Sequence, residues 1–119
     1  MDQLLYHLKK LEEIARGDQD FIHDMVVTFV ENVSSDLGNI LSFKSVGNWK
    51  SIGETAHKLA SNFAYLGADS LHDLSANIEK SVLLDNNLSD IAEKTDRLLH
   101  EGMIMVDQVK KDFCLTNTN

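Results

Sequence analysis

Apolar residues recur along this chain in steps of three and four from Leu4 to Val109, and no segment alternates apolar and polar residues at a period of two. The pattern predicts helices throughout. A first helix is expected from about Asp2 to Arg16, with Leu4, Leu8, Leu11 and Ala15 on one stripe and Gly17 at the C′ position. Asp18 is placed to cap a long second helix on Ile22, Val26, Phe29, Val33, Leu37 and Ile40, which "SVGN" stops near Gly47. A third helix starts near Asn48, where Ser51 and Glu54 have capping-box spacing. It turns Trp49, Ile52, Ala56, Leu59, Phe63 and Leu66 inward before Gly67 ends it. A fourth runs from about Ala68 to Leu84 on Leu71, Leu74, Ile78 and Val82. After a "DNN" turn the fifth runs from about Leu88 to Phe113 on Ile91, Leu98, Met105 and Val109, with Leu99 and Val106 alongside.

The connections are a few residues long and the chain has no proline, so successive helices are expected to fold back on one another. The expected fold is all-α: an up-and-down antiparallel four-helix bundle with the short N-terminal helix covering one end. With 119 residues, 43% of them hydrophobic, a single domain over residues 1–119 can bury one core without metal or disulfide staples. Only the tail from about residue 114 to 119 is expected to fray.

Charge and cysteine usage narrow the setting. Against 11 Lys and Arg stand 19 Asp and Glu, a formal charge of −8 that repels phosphate backbones and anionic membranes, so neither nucleic acid nor membrane is the expected partner. Cys114 is the single cysteine and has no second thiol to pair with. The amino terminus, "MDQLLYHLKKLEEI", places charges among its apolar residues at helical spacing, unlike a signal peptide, and no apolar run reaches transmembrane length. A cytoplasmic monomer is the expectation.

The candidate chemistry lies on the third helix, in "GETAHKLASNFAYLGA" (residues 53–68). His57 follows the inward Ala56 and is about 100° round from it, at the edge of the core. Its neighbours on the helix surface are Lys50, Gly53, Glu54, Ala60, Ser61 and Ala64, four of which are Gly, Ala or Ser. Gly53 costs roughly 1 kcal/mol relative to alanine in a helix interior, which close helix packing or open access to the histidine would offset. Small neighbours let a flat macromolecular surface reach an imidazole nitrogen, the geometry wanted of a nucleophile serving a protein-borne electrophile. A solvated surface histidine beside a tight helix crossing is the plainer reading of the same spacing.

The run "AHKLASNFAYLGADSLHDLSANIE", from Ala56 to Glu79, resembles the signature of histidine-containing phosphotransfer (HPt) domains. His57 matches the phosphorylated histidine, Leu59 the buried leucine two residues on, and Gly67, Ala68 and Leu71 the turn and start of the next helix. Upstream, "GDQDFI" (17–22) resembles the family's lead into its long second helix, and "GNWKSIGETAHKL" its aromatic-led approach to the histidine. The resemblance spans about residues 4–113. It implies a phosphorelay intermediate of two-component signalling. His57 accepts a phosphoryl group from a receiver-domain aspartate and passes it to another receiver, in a pathway fed by a hybrid histidine kinase. Gly53, Lys58, Ala60, Ser61 and Ala64 would border the docking surface. The receiver would bring its own Mg²⁺, so no cofactor, metal site or autokinase activity is expected of this chain.

The sequence departs from the family at two positions. Where the family commonly has lysine and then glycine at the third and fourth positions after the histidine, this chain has Ala60 and Ser61. The missing lysine could have steadied the phosphoryl group. Lys58 points about 100° away from the histidine, whereas Lys50, two turns back on the same face, is able to substitute in part. The absent lysine keeps a second reading in view, a bundle of this type that binds a receiver or kinase without carrying phosphate.

Three smaller expectations complete the reading. Glu54 either completes the cap with Ser51, the preferred assignment, or orients the ring of His57. Asp20 with His23 and Asp69 with His72 have the i, i+3 spacing of di-iron bundles, but each histidine follows a core residue, so a metal-binding bundle is the remote alternative. His7, His23, His72 and His100 are then surface residues. Among Met103 to Val106, Met105 and Val106 belong to the core stripe and Ile104 is the candidate for exposure.

Overall fold

Glycine and asparagine punctuate the chain where the periodicity breaks, and the helices start and stop there. The computed structural model describes residues 5–84 and 87–115. It contains helices α1 (Lys9–Ala15), α2 (Gln19–Ser45), α3 (Trp49–Tyr65), α4 (Asp69–Leu83) and α5 (Leu88–Asp112), with no strand among the described residues. Helices α2 to α5 pack in a ring, each against the next and α5 back against α2, and α1 lies on α2. This is the up-and-down bundle that the short connections imply. The "DNN" turn in large part, Leu4 and the last four residues lie outside the described residues.

The inward stripes are where the spacing puts them. Ile22, Val26, Val33, Leu37, Ile40, Ile52, Ala56, Leu59, Phe63, Leu71, Ile78, Ile91, Leu98, Met105 and Val109 are all buried. Trp49 and Val82 pack half-buried at the margin. Met103 is exposed together with Ile104, since both lie outside the stripe that Met105 and Val106 continue. Polar ties fix the ring from outside: Lys44 Nζ lies 2.5 Å from Asp96 Oδ1 between α2 and α5, and Lys94 Nζ donates to Asn77 Oδ1 at 2.7 Å between α5 and α4.

Two expectations are corrected. The first helix starts at Lys9, well after Asp2, because the segment before it gives its hydrogen bonds to the bundle end. Leu5 N–H donates to Gln108 Oε1, His7 N–H to the Leu66 carbonyl, and the Tyr6 hydroxyl to Asp112. Residues 5–8 are thus a strap across the end where α3 and α5 finish and α4 begins. Gly67 makes the closest approach possible: its φ is +64°, and a Cβ there would stand 2.4 Å from the His7 carbonyl oxygen. The second correction concerns α3, which is capped by Asn48, whose Oδ1 accepts from Ser51 N–H at 3.2 Å. Ser51 and Glu54 form no capping box, since Ser51 is already inside the first turn. The Asp18 cap of α2 is as expected, with Oδ1 accepting from Phe21 N–H. Among the described residues no helix is long and apolar enough to cross a membrane.

Candidate functional site

His57 stands halfway along α3, one position past the fully buried Ala56, and its side chain is 69% exposed. Its ring is nonetheless held. Nδ1 lies 2.9 Å from Oε2 of Glu79, which reaches across from α4 and is itself two-thirds buried. A carboxylate can only accept, so the neutral imidazole carries its proton on Nδ1 and its lone pair on Nε2. Nε2 has no partner among the described residues. The arrangement presents one oriented, unprotonated ring nitrogen on an otherwise accessible flank.

The orienting carboxylate is Glu79, which the sequence alone did not single out. Glu54, the residue weighed for that task and for the cap, is exposed and does neither. It lines a hollow of about 110 Å³ between α3 and α4 together with Lys50, Gly53, Glu79, Val82 and Leu83. Glu79 lies 22 residues from His57, and only the antiparallel register of α3 and α4 brings them together. A signal was available: Ile78 is on the core stripe, so Glu79 must stand at its edge, as His57 does beside Ala56.

The other expected site residues divide by exposure. Ser61 is exposed and Ala60 and Ala64 are half-buried, so the flank beyond His57 is low and unobstructed. Lys58 is exposed but turned to the α2 side, its Nζ 3.5 Å from the nearly buried Asp36. Gly53 is buried, not open. A Cβ there would come within 3.0 Å of Val82, so close crossing of α3 and α4 is what requires glycine, and access to His57 is not the reason. As a docking residue it offers only the floor of the hollow. Lys50 is exposed on its rim and makes no ion pair among the described residues.

Three of the other four histidines lie beside acids elsewhere: His7 with Asp69 at 3.8 Å, His23 with Asp24 at 3.9 Å and His72 with Asp73 at 3.1 Å. His23, Asp69 and His72 of the metal reading thus have other partners, and no cluster of three His, Cys, Asp or Glu among the described residues is placed to hold a metal ion.

A family model described as Hpt domain matches residues 24–110, most of the chain and the whole of α3 and α4. The chain belongs to the Hpt domain family. Hpt domains serve histidine phosphotransfer in two-component signalling. They are phosphocarrier modules, not kinases, and interact with receiver domains and kinases in phosphorelays. The match includes both His57 and Glu79 and leaves out the strap and α1. No curated protein and no solved structure gives a match.

Proposed function

We propose that this Hpt domain is a phosphorelay intermediate in which Nε2 of His57 takes a phosphoryl group from the aspartate of one receiver domain and yields it to the aspartate of another. The observation that carries the reading is the exposed imidazole of His57, whose Nδ1 is held by Glu79 while Nε2 has no partner among the described residues. The lone pair of Nε2 attacks phosphorus as the bond to the aspartyl oxygen breaks, leaving the donor carboxylate free. The ring then carries the phosphoryl group on Nε2 and its proton on Nδ1, facing Glu79. Onward transfer is the same exchange in reverse, with a second receiver's carboxylate as acceptor.

Such transfer depends on positioning and charge neutralisation. Glu79 acts as a positioning residue that fixes tautomer and ring plane, in the manner of the third member of a nucleophile–base constellation. Mg²⁺ brought by the receiver would neutralise phosphoryl charge, and Lys50 is the cation of this chain nearest along the histidine's own face. Ser61, Ala60 and Ala64 leave room for the receiver, and a hybrid histidine kinase feeds the first one. The protein works as a cytoplasmic monomer and uses no cofactor of its own.

The test is phosphate transfer from a panel of phosphorylated receiver domains to the native protein and to His57→Gln. An acid-labile, base-stable label on the native protein alone is the expected result. Receiver binding without any label would replace this reading with that of a module that regulates its partner by occupancy, as the alanine at position 60 first suggested.

A further inference from the structure

The hollow beside His57 shares Glu79 and Lys50 with the transfer step, but its apolar lining, Val82 and Leu83, has no part in that step. Its floor is Gly53 against Val82, Leu83 forms a wall, and Lys50, Glu54 and Glu79 stand around it. At about 110 Å³ it is well below the roughly 300–1,000 Å³ of sites for metabolites and cofactors. Its size suits one side chain of another macromolecule. Leu83 is 76% exposed, among the most exposed large apolar residues described. It follows Glu79 by one helical turn on the same face of α4. One carboxylate therefore belongs to both places, gripping His57 and lining the hollow.

We infer that this hollow, with Leu83 as its anchor, is where the receiver domain that exchanges phosphate with His57 is seated, an apolar side chain of the receiver entering between Leu83 and Val82. The inference rests on the phosphotransfer reading and names the contact that would give it affinity. Reach decides the occupant. A specific interface covers about 800 Å² on each partner, equivalent to a disc of roughly 16 Å radius. Leu83 is only about 6 Å along α4 from Glu79, so a partner lying over the His57 ring also covers the hollow. Apolar side chains that fill a pocket which the surrounding interface then closes off from water are what concentrate binding energy. The absence of a side chain at Gly53 lets α3 and α4 close to form the floor, and Lys50 supplies at the rim a charge with no ion-pair partner among the described residues.

The experiment measures transfer from a phosphorylated receiver as its concentration is varied, for the native protein, Leu83→Asp and Leu84→Asp. Leu84 is also exposed, at 60%, but does not line the hollow. In parallel, His57 is labelled directly with phosphoramidate, a small donor that gives its phosphoryl group to imidazole, releases ammonia and needs no docking. Leu83→Asp is expected to raise the half-saturating receiver concentration about tenfold or more while direct labelling is unchanged, and Leu84→Asp to shift it by less than about twofold. Unaltered half-saturation in Leu83→Asp, or an equal shift in Leu84→Asp, would overturn the assignment while leaving phosphotransfer standing. Failure of the native protein to accept phosphate from either donor would instead overturn the phosphotransfer reading, and this inference with it.

Discussion

His7 and His57 both face carboxylates of α4, Asp69 at its start and Glu79 near its end, yet the two regions give the imidazole opposite standing. At the covered end the His7 ring lies over Gly67 with about half of its surface still exposed, the His7 backbone N–H donates to the Leu66 carbonyl, and the distance from the ring to Asp69 is 3.8 Å, beyond a hydrogen bond. On the α3 flank the His57 ring is flanked by Gly, Ala and Ser and makes one 2.9 Å contact. The first histidine is part of a strap that closes the bundle; the second is held in orientation and otherwise left accessible. A histidine–carboxylate pair therefore says little by itself. What surrounds the ring decides whether it is a fastener or a reactive group.

The sharpest way to separate the regions is Gly67→Ala. The variant forces a left-handed backbone on alanine and drives its Cβ into the His7 carbonyl, so we expect a loss on the order of 2 kcal/mol or more in denaturant unfolding. His57 should still accept phosphate in the folded variant. A variant as stable as the native protein would mean the strap is not pressed on this turn.

At the other region, Glu79→Ala should reduce the transfer rate at saturating receiver about tenfold, roughly 1.4 kcal/mol, with little change in unfolding midpoint. Glu79→Gln should recover part of the rate, because the amide oxygen can still accept from Nδ1–H. Equal rates in all three proteins would remove Glu79 from the mechanism.

Tyr6 tests the strap by pH. Its phenol is pushed well above the usual value of 10.0, first by burial and then by its hydrogen bond to Asp112 and the charge of that carboxylate. The fold thus favours the neutral phenol. Its stabilisation is complete below about pH 10, the unfolded value, and is lost as the pH rises beyond it. Tyr6→Phe is expected to be about 1 kcal/mol less stable than the native protein at pH 7. That gap should shrink between about pH 10 and 11.5 in paired urea titrations. A gap constant with pH would show that Tyr6 ionises freely in the folded state.

The smallest effect is expected of Ala60→Lys, which restores the family's common lysine on the histidine's flank. Unfolding should change by less than about 0.5 kcal/mol, while the phosphohistidine lifetime or transfer rate shifts a few-fold. No kinetic change would mean that Lys50 or the receiver already supplies the charge.

The sequence determined the five helices, their inward stripes and the exposed position of His57, because each follows from helical periodicity, which is local. His57 had to lie at the core edge once Ala56 was inside. It did not determine the extent of the first helix. Leu5 to Leu8 have an acceptable helical pattern, but their backbone and side-chain groups find partners on Leu66, Gln108 and Asp112, all distant in the chain. The cap of α3 differs from the expected one for a smaller reason: Asn48 and Ser51 both carry suitable oxygens, and the helix start chooses between them. Periodicity leaves the purpose of Gly53 open; Val82 packed against it supplies the reason. Likewise, Glu79 joined His57 only through the register of two antiparallel helices, a relation between segments that no single-helix period encodes. Local periodicity told which side chains face out; the packing of α3 on α4 decided which of them meet, and left the ring of His57 oriented with one nitrogen exposed.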